Sequence, residues 1–60
     1  MNIIKRSNGE FIPEYWRGLS ANIWTSDRKQ ALQLDAENTA RCLPLLIKLN
    51  STRTVEVVKA

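Results

Sequence analysis

The most suggestive chemistry in this chain is an aromatic and basic group, Tyr15, Trp16 and Arg17, followed by Trp24. A ring beside a guanidinium can stack a nucleobase while the cation meets a phosphate. The same residue types act as anchors at protein interfaces, where Trp, Tyr and Arg are enriched among hot spots. They also fill the cores of small domains, which rarely leave a tryptophan idle at the surface. All three uses are open on the sequence. Trp24 is the better core candidate, and Tyr15, Trp16 and Arg17 are the candidate partner-binding residues.

Catalytic and metal chemistry find little material. The chain has no histidine, which removes the usual general base, the Ser-His-Asp and Cys-His arrangements and the commonest metal ligand. Its single cysteine, Cys42, cannot form an intrachain disulfide or an ordinary zinc site. Beside an apolar helix face it reads as a small hydrophobe. Gly9 and Gly18 are the only glycines, too few for a phosphate-cradling loop. Among the acidic residues, Asp35 and Glu37 are explained by a helix start and Asp27 by a turn. Glu10 and Glu14 straddle Pro13 and could flank a substrate, though two solvated carboxylates are the simpler account. The expectation is a protein that is not an enzyme, with no cofactor and no metal.

Sixty residues make one small domain, 1–60, of a size at which buried area and ordering entropy nearly cancel, so self-association is a natural supplement. A hydrophobic content of 43% with 25% charged residues is that of a globular chain. The net charge of +3 is mildly basic, but the nine Lys and Arg are spread along the sequence rather than clustered into a stripe. The single cysteine fits a reducing compartment, MNIIKR lacks a long apolar core, and Leu43–Ile47 is too short to span a bilayer. The expectation is a cytoplasmic protein with no membrane segment.

The elements that must position these residues are organised around Asp35–Asn50. Asp35 is an N-cap, Glu37 suits the positive end of the helix dipole, and Lys48 suits the negative end. Ala36, Ala40, Leu43 and Ile47 define an apolar stripe widened by Leu46, and Glu37 and Arg41 are spaced for an ion pair. Pro44 either kinks one helix or ends a first helix near Leu43 and opens a second; the kinked single helix is favoured.

Strand-like runs flank it. Asn2–Arg6 is a first strand, and Asn8-Gly9 is a hairpin turn leading to Phe11 and Ile12, with the return strand ending at Pro13 or lying on an edge. Glu14–Ser20 is an irregular extension. Ala21–Trp24 reads as a short strand or extended loop. Thr25-Ser26-Asp27 caps a helical turn over Arg28–Ala31, and Leu32 and Leu34 make a short strand unless helix extends from Ser26 to Leu34. Thr52–Lys59 is the strongest strand, with Val55 and Val57 against the helix. The fold class is α+β: a mostly antiparallel sheet of three to four strands with one helix, Pro-kinked, on one face. The expected core is Ile4, Phe11, Trp24, Leu32, Leu34, Ala40, Leu43, Ile47, Val55 and Val57.

The run Ile3–Phe11, then Trp24-Thr25 with Asp27, Ala31 and Leu34, then Ala36, Ala40 and Leu43, and a closing Val-Glu-Val-Val strand, resembles a class of small proteins encoded by phages, prophages and mobile elements. Those proteins read hairpin, W-or-F-[ST]-x-x-x-x-A-x-x-[FL], helix, strand. The resemblance spans most of the chain at packing and turn positions. It implies a small αβ fold and a mobile-element origin, without an activity; Pro44 departs from its uninterrupted helix. The functional expectation is a small accessory protein acting by protein–protein interaction, with another protein or with itself. The alternative is a nucleic-acid binder using basic and aromatic surface residues.

Overall fold

The structure is a computed structural model that describes residues 1–8, 12–18, 20 and 23–60. The elements are β1 (Asn2–Ser7), β2 (Glu14–Trp16), β3 (Trp24–Thr25), a 3-10 turn at Arg28–Gln30, α1 (Ala36–Leu49) and β4 (Thr54–Lys59). Among the described residues the strands form one antiparallel sheet in the order β3-β2-β1-β4, and a single α-helix packs on it. The small α+β class expected from the sequence is the class observed.

Pro13 precedes β2 instead of closing the second strand, so Tyr15 and Trp16 belong to the sheet. A residue without an N–H is tolerated just outside the ladder. The Asn8-Gly9 turn and Phe11 fall partly or wholly outside the described residues, as do Ala21 and Asn22 ahead of β3. The helical turn behind Asp27 is there, its cap accepting from Lys29 N–H at 3.0 Å, and it stops at Gln30. Leu34 does not extend into a strand. It makes one bridge to Asn2, with both N–H···O bonds at 2.7 Å. Gly18 has φ +82°, and its lack of a Cβ leaves room for the Leu32 side chain, whose main-chain N–H donates to the Trp16 carbonyl at 2.9 Å.

Register assigns every strand residue to a face. Arg6 opposes Glu14 and Val55, Ile4 opposes Val57, and Trp16 opposes Trp24. These side chains share the face covered by α1, because residues directly opposite in an antiparallel pair point the same way. Lys5, Tyr15, Thr25 and Glu56 share the other face, together with Ile3 and Val58. There Ile3 is nonetheless buried, since the 3-10 turn crosses its end of the sheet: Arg28 stands 6.0 Å from the Tyr15 ring and donates to the Lys59 carbonyl.

The helix begins where expected. The Asp35 carboxylate accepts from Asn38 N–H at 2.8 Å, and the Thr39 hydroxyl donates to the Asp35 carbonyl at 2.7 Å. It runs unbroken through Pro44, so the single-helix reading holds. Its buried side is not the expected one. Leu46 and Thr39 are buried and Cys42 and Leu43 partly so, whereas Ala40 and Ile47 are exposed. Leu32 and Val57 are likewise 38% and 37% exposed, while Ile3 joins the buried set.

A physical reason for the rotation lies at Pro44. It donates no hydrogen bond to the Ala40 carbonyl, an acceptor that then needs water. Turning Leu46 inward places Ala40 and Pro44 on exposed positions. Thr39 can be buried because its hydroxyl is satisfied within the helix.

Candidate interaction surface

The structure separates the three residues singled out by sequence. Tyr15 and Trp16 are neighbours in β2, so they point to opposite faces of the sheet. Tyr15 lies half-buried beside Lys5 and Arg28, on the face away from the helix. Trp16 is half-buried on the helix face, packed against the core of Ile4, Leu34 and Leu46, and its indole N–H donates to the Ser20 carbonyl at 2.8 Å. Trp24 packs beside it in the same way. Arg17 is exposed. No single surface carries all three.

A cluster that sequence reading did not find sits at the far end of the sheet. Arg6 is an even-numbered residue of β1, so it shares the inward face with Ile4. Its guanidinium carbon lies over the Trp24 ring, 4.3 Å from the centroid, which suits a cation on an aromatic face. Its Nε donates to Glu14 Oε1 at 3.0 Å and its Nη1 to Asn50 Oδ1 at 2.9 Å. Arg53 donates to the same Glu14 oxygen at 2.9 Å. Asn50 also closes α1, its Nδ2 donating to the Leu46 carbonyl at 2.8 Å. One carboxylate and one amide thereby join β1, β2, the end of α1 and the turn into β4. The alternation of β1 was the available signal: a charge on the inward face requires a partner.

The flanks of the helix expose large apolar side chains. Leu45, Ile47 and Leu49 are 56%, 48% and 54% exposed. Leu34 pairs with Asn2 and Asn50 reaches Arg6, so α1 runs in the same direction as β1. Even-numbered residues of β1 bond away from β4, which for L-residues puts β4 on the left when the sheet is viewed from the helix. A right-handed helix turning about 100° per residue then carries Ala36, Ala40 and Ile47 to the flank above β4. Leu45 and Leu49 go to the opposite flank, above the strands bearing Trp16 and Trp24. The helix thus has two exposed apolar edges.

No helix among the described residues is long and apolar enough to cross a membrane. Comparison with protein-family models, curated proteins and solved structures finds no significant match to this chain.

Proposed function

We propose that this chain is a small accessory protein that works by binding another protein. The observation that carries the reading is the pair Leu45 and Leu49, one turn apart on α1 and each more than half exposed. Aliphatic side chains spaced i and i+4 are what a partner groove or helix engages. Trp16, half-buried on the sheet face below this flank, supplies an aromatic anchor of the kind found at hot spots.

The test begins with affinity capture using the wild-type chain, identification of the captured protein, and reconstitution with purified components. Substituting both Leu45→Lys and Leu49→Lys should weaken the reconstituted complex by about tenfold or more with the helical circular dichroism unchanged. Undiminished affinity in the double variant would remove the flank from any binding role.

One feature favours the second reading, nucleic-acid binding: Tyr15 shares its sheet face with Lys5 and Arg28. Such binding would fall steeply as salt is raised. Several of the basic side chains are already engaged, Lys5 with Glu56, Arg6 and Arg53 with Glu14, and Arg41 with Glu37, which weighs toward protein contact.

A further inference from the structure

We infer that one partner is a second copy of this chain, joined through β4 in antiparallel pairing about a two-fold axis at Val57. The inference rests on the reading that the chain works by protein contact, but it uses the other flank of the helix.

The first ground is the free edge of the sheet. Asn2 exchanges both main-chain bonds with Leu34, and Ala60 N–H donates to the Met1 carbonyl at 3.0 Å. The alternation of an antiparallel ladder then turns Thr54, Glu56 and Val58 toward β1, and turns the main-chain groups of Val55, Val57 and Lys59 outward. Arg28 takes one lone pair of the Lys59 carbonyl, which leaves the second to accept from a neighbouring strand. Among the described residues, no strand lies beyond β4 to take up the groups of Val55 and Val57. The strand carries Glu56 and Lys59 but lacks two other devices that blunt an edge. It has no proline, and it pairs with β1 one-for-one over six residues without a bulge. The opposite edge, β3, is only two residues long.

The second ground is self-complementarity. With Val57 opposite its own copy, every outward residue meets an outward residue. Val55 meets Lys59 of the second copy, and Glu56 meets Val58 of the second copy. No like charges stand directly opposed, whereas the neighbouring register would set Glu56 against itself.

The third ground separates a second copy from a simple peptide strand. Helix α1 packs on β1 and β4 together, so its axis lies between them. Strand spacing of about 4.8 Å then sets the two helices roughly 10 Å apart across the axis, at the distance where helices pack. The facing flanks carry Ala36, Ala40 and Ile47. The helices run antiparallel, so the Ala36 end of one lies toward the Ile47 end of the other. The acidic start of each helix, Asp35 and Glu37, lies toward the end of the other that carries Lys48, and the dipoles oppose, which is favourable on both counts.

The experiment follows wild-type chain by sedimentation and by amide exchange in NMR spectra over a range of concentrations. Association should appear together with slowed exchange at Val55 and Val57, while Thr54, Glu56 and Val58 are protected at every concentration. Val57→Lys should weaken association by about tenfold or more, and the paired Leu45→Lys and Leu49→Lys substitutions should leave it unchanged. A chain still monomeric at about 1 mM would overturn the proposal. So would a dimer whose Val55 and Val57 amides exchange as fast as in the monomer. Should Val57→Lys fail to fold, the wild-type exchange pattern alone decides. A monomer that nevertheless binds a different protein through Leu45 and Leu49 would overturn this inference and leave the previous reading standing.

Discussion

Arg6 shows how one side chain ties a small fold together. Its side chain is 16% exposed and meets an aromatic face, a carboxylate and an amide at once. Glu14 holds Arg6 and Arg53 through a single oxygen. Glu14→Gln should therefore lower stability by about 1–2 kcal/mol, because a half-buried guanidinium loses its counter-charge. Urea denaturation reads this directly, and an unchanged midpoint would place the cluster among ion pairs that contribute nothing measurable. By contrast, the Glu37–Arg41 pair was legible from its spacing and is formed at 2.9 Å, yet both side chains are more than two-thirds exposed, and such pairs add little. The spacing was readable because it is local. The contact of Arg6 with Asn50 spans most of the chain, and no local pattern encodes it.

At the scale of the element, α1 carries the clearest contrast. Its start, its end near Asn50 and its passage through Pro44 follow from capping residues and apolar content. Which side it buries does not. Leu43, Leu45, Leu46, Ile47 and Leu49 surround most of the axis, so more than one rotation would bury leucine or isoleucine. Leu46, only 1% exposed, is the residue the sheet receives. Leu46→Ala should cost about 2–5 kcal/mol, enough to unfold much of a 60-residue chain. Ile47→Ala, measured where the chain is monomeric, should cost less than about 1 kcal/mol. Equal losses from the two would return the helix to the orientation expected from the Ala36, Ala40, Leu43 and Ile47 stripe. That stripe remains meaningful, since part of it overhangs the open edge of β4.

On the scale of the molecule, the same sheet that buries Ile4 and Leu46 ends in a six-residue strand with no strand beyond it among the described residues. A domain this small gains stability from any association that covers such an edge. If the pairing through Val57 forms, the melting temperature should rise by several degrees between dilute and concentrated samples. Val57→Lys should flatten that dependence. A melting temperature independent of wild-type concentration would argue against the pair.

The sequence by itself determined the kinds of element and their order: a first strand, a late valine-rich strand, a capped helix between them and an α+β arrangement. These follow from periodicity and end signals that a few neighbouring residues supply. Tertiary structure alone decided that Tyr15 and Trp16 part to opposite faces, that Arg6 is held from both sides, and that Ile47 and Val57 lie open at an edge. Each of those outcomes depends on strand register and helix rotation, which are set by contacts between residues far apart in the chain.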